Sequence, residues 1–357
     1  MGLVVYWYDF VCFGIVGGAF LGSIYVIWMR EGAGKCKEDR TMYESLVVTP
    51  PPDDIPGGYA AAAVAAGVSS TPRGHVSSTQ LWTSCWRGLH PIWLLALRFA
   101  SFLIMAALLV WDVIIYDPSV FAYYTEWTFA LVIVYFAIGT IVSANGCMVY
   151  YWKKPPFASV QREEFLRRDV EESQSICTNA MTFRAKEMSG SIKLQSPYDQ
   201  EAIEQRAGFW GYLMQIAYQT CAGAVILTDL VFWCIIVPFL TDAHLELNLL
   251  MGCMHTLNAI FLLLDTAVNS LPFPSFRLAY FVLWSCCYVI FEWVVHACGY
   301  SSLWPYPFLE LGVPWAPLWY FCLAVVHIPC YGLYALLIRA KNSIFPRMFP
   351  QSFVKSF

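Results

Sequence analysis

The stretch LELNLLMGCMHTLNAIFLLLDTAVN, residues 245–269, decides the fold. It is apolar enough to cross a bilayer, which takes about 20 residues of helix. It also carries Asn248, His255, Asn258, Asp265 and Asn269. On a helix these five fall within an arc of about 100° on one side. Hydrocarbon cannot solvate such groups, so that side is expected to face other helices or an internal cavity. His255 sits at the centre of the stripe and is the only histidine expected near the middle of the membrane. A buried imidazole can take or give a proton near neutral pH. A plain hydrogen bond to a neighbouring helix would account for it as well, and both readings stay open.

Composition agrees with a membrane protein. The chain has 357 residues, of which 59% are hydrophobic and 13% charged, against roughly 25% charged in an ordinary soluble domain. The apolar runs are long enough for helices rather than barrel strands. The expected fold is therefore an all-α, polytopic transmembrane helix bundle. A formal charge of −4 gives no reason to expect nucleic acid as a partner. The 13 cysteines mostly lie inside apolar runs, as Cys286 and Cys287 do, with no paired C-x-x-C spacing. They read as free, buried thiols.

Seven spans are expected, roughly Trp7–Met29, Ile92–Tyr116, Phe121–Met148, Tyr212–Leu240, Leu245–Val268, Phe276–Ala297 and Pro314–Ile338. Segments 1–9, 117–123, 241–246 and 298–313 contain no Lys or Arg, whereas 30–91, 150–208, 269–277 and 339–357 contain 6, 9, 1 and 4. The remaining one is Arg98, inside the second span. The positive-inside rule then puts the N-terminus in the lumen or outside the cell and the C-terminus in the cytosol, in the endoplasmic reticulum or the plasma membrane. No basic region precedes the first apolar run, and Arg30, Lys35, Lys37 and Arg40 follow it, as for a retained helix rather than a cleaved signal peptide.

The chain accordingly divides into an N-terminal helix (1–30), a cytosolic loop (31–91), spans two and three (92–150), a charged cytosolic loop (151–208), spans four to seven (209–340) and a tail (341–357). The first loop, rich in Pro, Gly, Ala, Ser and Thr, is expected to be mostly disordered. In the second, Ser159 is placed to cap a short helix near 160–172. No internal repeat is present.

Polar residues form stripes on other spans too. Thr125, Thr128, Tyr135, Gly139 and Ser143 share a side of span three. Gln215, Gln219 and Asp229 share a side of span four, and Tyr288, Glu292 and His296 follow i, i+4, i+8 on span six. Gly139 and Gly223 would let helices approach closely. A polar interior of this kind fits an intramembrane enzyme, a receptor or a transporter. There is no G-x-S-x-G, H-E-x-x-H, P-loop or G-x-G-x-x-G. No local ligand spacing argues for a metal among His255, His296, Asp229 and Glu292, and no cofactor is expected.

The segments GCMHTLNAIFLLLD (252–265), VFW (231–233) and WVVHACGYSSLWPYPFLE (293–310) resemble a family of membrane hydrolases. That family holds the androgen-induced protein and the androgen-dependent regulator of tissue factor pathway inhibitor. Its His-Thr pair, with an acidic residue ten positions after the His, is matched by His255, Thr256 and Asp265. YYTEWTF (123–129) resembles its nucleophile region, with Thr125 as the threonine, and CWRGLHPIWLLALR (85–98) is nearest its rolling-stone-like, plant-type branch. The extra first helix and the long cytosolic loops depart from the pattern. The resemblance implies hydrolysis of lipid esters, namely fatty acid esters of hydroxy fatty acids, by an intramembrane threonine and histidine. Thr125 would attack and His255 would take its proton. By position Thr125 lies about 6 Å into the membrane and His255 about 15 Å, a gap that tilt or staggered helices can close. Glu292, Asp229 and His296 are candidates for a supporting role beside His255. The partners implied are membrane lipids and a lipid-ester substrate. A non-enzymatic role in adhesion, fusion or signalling, as in rolling-stone-like proteins, is the alternative. A seven-helix receptor is a further one, though no DRY-like or NPxxY-like sequence is present.

Overall fold

The computed structural model describes residues 6–32, 76–152, 207–240, 249–301 and 304–354. Among them are seven helices long and apolar enough to cross a membrane: α1 (Trp7–Ile27), α2 (Pro91–Tyr116), α3 (Tyr124–Trp152), α4 (Phe209–Val231), α5 (Leu249–Val268), α6 (Leu278–Ala297) and α7 (Ala316–Met348). The chain is a multi-pass membrane protein with an all-α bundle. A π-helical turn, Phe232–Ile236, interrupts α4 before its last turn, Val237–Leu240. Expectations that fall on Asn248 and on a helix near 160–172 lie outside the described residues.

Local chemistry starts the helices. At α1 the Tyr6 amide donates to the Asp9 carboxylate at 2.7 Å. At α2 the His90 ring accepts from the Ile92 amide at 3.2 Å, and Pro91 supplies a first residue whose missing N–H costs nothing. The antiparallel succession gives the bundle two ends. One holds the start of α3 and is here named for Thr125. The other holds the start of α2 and is named for Arg98.

The helix α4 is the centre of the bundle, with 56% of its most apolar stretch buried, and α1 is peripheral at 17%. One core cluster joins α3, α4 and α5 through Phe136, Met214, Tyr218 and Leu262, and reaches Tyr334 of α7. A second joins α1, α4, α6 and α7 through Cys12, Leu227, Phe281 and Tyr320. Close approach depends on small residues. A Cβ on Gly223 would stand 2.4 Å from the Phe281 ring, and one on Gly139 would stand 3.1 Å from Arg98.

Two buried arginines tie the polar stripes together. Arg98 and Asp265 are both wholly buried, with Nε donating to Oδ1 at 2.8 Å. The same guanidinium donates to the Leu81 carbonyl at 2.8 Å and to Ser143 at 2.7 Å. Asp265 also accepts from Tyr135 and, at 2.8 Å, from Asn269. Arg277, just before α6, donates to Glu31 at 3.0 Å and to Gln215 at 3.0 Å. That holds the far end of α1 against the bundle.

Two departures from the sequence reading have physical causes. Residues 76–90, expected in the disordered loop, are packed instead. Val76, Leu81 and Cys85 are buried, the Cys85 amide donates to the Val268 carbonyl, and short β-bridges join Ser84 to Asn269 and Trp86 to Phe353. The apolar side chains of this short run supply the burial that holds it. And α7 runs on to Met348, past the expected exit at Ile338. The cation there, Lys341, donates to the carbonyls of Thr266 and Asn269 at 2.6 and 2.7 Å, satisfying the open end of α5. Eleven described cysteines are free thiols, but several, among them Cys287 and Cys322, are exposed rather than buried.

Candidate functional site

Within the second core cluster, toward the Thr125 end, lies a cavity with about 600 Å³ of space free of protein atoms, counting its mouth. Its walls are apolar, with Leu227, Val231, Val289 and Leu323 among them, and a few polar groups converge on it. That is the usual make-up of a small-molecule site. Thr125 and His255 both line it. No hydrogen bond joins them.

The helix α5 brings His255 in from one side. Its ring stacks on Phe232, with centroids 3.7 Å apart and planes 7° from parallel. Phe232 opens the π-helical turn of α4, and Ile236 at its close also faces the cavity. Such turns re-aim side chains and recur at functional sites. The His255 Nδ1 lies 3.7 Å from Asp229 Oδ1, too far for a hydrogen bond, and has no other partner. Asn258 Nδ2 lies 3.4 Å from the same oxygen. Asp229 therefore stands where a group orienting His255 would be needed. Glu292 and His296 do not join them. The His296 ring stacks on Trp304 at 3.8 Å, its Nδ1 is 2.9 Å from the Glu292 carbonyl, and neither residue lines the cavity. None of the three supporting candidates expected from sequence lines the cavity, and of them Asp229 is the one that lies beside the His255 ring.

Thr125 is the second residue of α3, so its amide is one of the helix's open donors. The Tyr306 phenol, from the loop before α7, faces it. Burial pushes the Tyr306 hydroxyl pKa up; the Thr125 side chain and the amides of Thr125 and Tyr124 act in the other direction. Hydroxyl and amide donors are therefore gathered at one point of the cavity wall.

Three further polar side chains on this wall were missed in the sequence. His327 lies in the middle of α7, so His255 is not the only histidine deep in the membrane. Its Nδ1 is 2.6 Å from the Leu323 carbonyl and its Nε2 is 2.7 Å from Ser285 Oγ. Ser285, on α6, is in turn 2.8 Å from the Tyr124 hydroxyl. His327 was discoverable as a lone imidazole in an apolar span. The Ser285 contact was not, since it joins residues 42 apart on two helices. Among the described residues no three His, Cys, Asp or Glu side chains gather as a metal site would require. No known family model matches the chain, and no curated protein or solved structure is significantly similar to it.

Proposed function

We propose that this cavity hydrolyses lipid esters inside the bilayer, with fatty acid esters of hydroxy fatty acids as the substrate class. The observation that carries the reading is that Thr125 and His255, from α3 and α5, line one cavity. An ester needs an attacking hydroxyl, an imidazole to receive its proton, and donors for the carbonyl oxygen. The wall offers each of these. In the assignment implied by the resemblance, Thr125 attacks, His255 receives the proton, and Asp229 steadies the imidazole. The apolar walls suit acyl chains that arrive sideways from the membrane. The protein is oriented with its N-terminus lumenal or extracellular.

The test is release of fatty acid from a branched ester by purified protein in liposomes. Thr125→Ala and His255→Ala should each lower turnover by about 10²-fold or more, and the double variant should be no worse than the poorer single one, because groups that act as a unit do not add. Full activity in both folded variants would refute the assignment. A folded wild type without turnover would refute the hydrolase reading and favour a non-enzymatic role in adhesion or fusion.

A further inference from the structure

The same cavity already contains a hydroxyl joined to an imidazole, and it is not the expected pair. The proton positions follow from the partners. The Leu323 carbonyl can only accept, so His327 Nδ1 must carry a hydrogen and donate it at 2.6 Å. In the neutral imidazole that leaves Nε2 with a lone pair. The group facing it at 2.7 Å is Ser285 Oγ, whose single hydrogen has two acceptors in reach, the Phe281 carbonyl at 3.3 Å and the much closer His327 Nε2, and the shorter contact makes Ser285 the donor to the imidazole. The Tyr124 hydroxyl, 2.8 Å from the same Oγ, has to donate in its turn. The hydrogen bonds therefore run in one direction, from Tyr124 to Ser285 to His327 to the Leu323 carbonyl. A serine with a base in contact and the base fixed by a third group is the arrangement that activates a nucleophile. Tyr124, Ser285 and His327 all line the cavity. The His327 ring also packs 4.5 Å from that of Phe281, which in turn lies over Gly223.

We infer that Ser285 is the residue acylated by the ester and that His327 is its base. This rests on the hydrolase reading of the cavity but replaces Thr125 and His255 by Ser285 and His327 as the attacking group and its base. Ser285 Oγ bonds to the acyl carbon as its proton passes to His327 Nε2. The ester C–O bond breaks, and the departing alkoxide takes that proton and leaves as an alcohol. Water then attacks the acyl-serine and gives a proton to His327 Nε2. The acid departs as that proton returns to Ser285 Oγ. Ester and water are consumed, acid and alcohol are produced, and no other reactant is needed. Thr125 then lines the site beside Tyr306 and does not attack.

The experiment is to treat the intact protein in liposomes with a lipophilic fluorophosphonate, map the modified residue by peptide mass spectrometry, and measure hydrolysis of the same branched ester. The expected result is a single adduct on Ser285, with turnover reduced about 10³-fold or more in Ser285→Ala and in His327→Gln, which keeps an acceptor for Ser285 but no base. Mapping uses the wild type, so it does not depend on a variant folding. An adduct on Thr125 with turnover intact in Ser285→Ala would overturn the inference and leave the hydrolase reading standing. A folded wild type that neither labels nor hydrolyses would overturn both.

Discussion

Replacing Asp265 by Ala should destabilise the bundle without touching the cavity. Arg98 and Asp265 are both 0% exposed and 2.8 Å apart, and Asp265 also accepts from Tyr135 and Asn269. In Asp265→Ala the guanidinium stays buried, with neutral acceptors only on Leu81 and Ser143. Removing one member of a buried ion pair costs about 3–5 kcal/mol, because the other charge is left unpaired. At about 2–4 °C per kcal/mol this corresponds to a midpoint lower by about 6–20 °C. The assay is the fraction of monodisperse protein remaining in detergent after heating. Arg98→Ala/Asp265→Ala leaves no unpaired charge, so it should recover part of the loss rather than add two losses. A midpoint for Asp265→Ala close to that of wild type, or a double variant equal to the sum of the singles, would refute the ion-pair argument. Since Asp265 does not line the cavity, whatever ester turnover the wild type shows should persist in the variant below its midpoint.

Gly223→Leu should lower the midpoint, overpacking against Phe281 costing about 1–3 kcal/mol, whereas Gly14→Ala, with nothing within 4 Å of its Cβ, should raise it by up to about 1 kcal/mol of helix propensity. Burial raises the Cys85 thiol pKa, with the Lys341 charge opposing it, so at mildly alkaline pH maleimide should modify Cys85 only once the protein is denatured, as read by mass spectrometry. In the proposed orientation, glycosylation acceptors engineered between residues 33 and 75 should stay unmodified in microsomes, and efficient modification there would invert the topology.

The fold was readable because apolar length is a local property that survives without knowledge of contacts. The polar stripes were readable in the same way: Asn258 and Asp265 are each buried, as their shared face on α5 required, and so is Asn269 just past its end. What could not be read was which stripe meets which. Asp229, Glu292 and His296 were equal candidates beside His255 until α4 put the first 3.7 Å from its ring nitrogen. Nor could the sequence show that Lys341, past Ile338 on α7, caps the end of another helix. His327 was legible and overlooked, whereas its contact with Ser285 exists only between helices.

The distribution of unmet polar groups separates the two ends of the bundle. Among the described residues, eight buried side-chain atoms lack a hydrogen-bond partner. Six of these, on Asp9, Asp112, Glu126, Thr128, His255 and Glu292, lie toward the Thr125 end, and of the other two only the one on Arg98 belongs to the opposite end. Each such atom costs about 1–3 kcal/mol, which a fold tolerates where function requires it. At the Arg98 end, by contrast, nearly every donor meets an acceptor and the helices are locked by charge. Ion pairing and unmet polar groups thus lie toward opposite halves of the same helices. Substitutions at the Arg98 end should move the melting midpoint with little effect on whatever the cavity binds. Filling an unmet position at the other end, as in Thr128→Val, should leave the midpoint unchanged or raise it, because an orphaned hydroxyl is exchanged for a methyl of equal shape. A large loss of stability in Thr128→Val would show that this hydroxyl is satisfied in the folded protein and would undo the division.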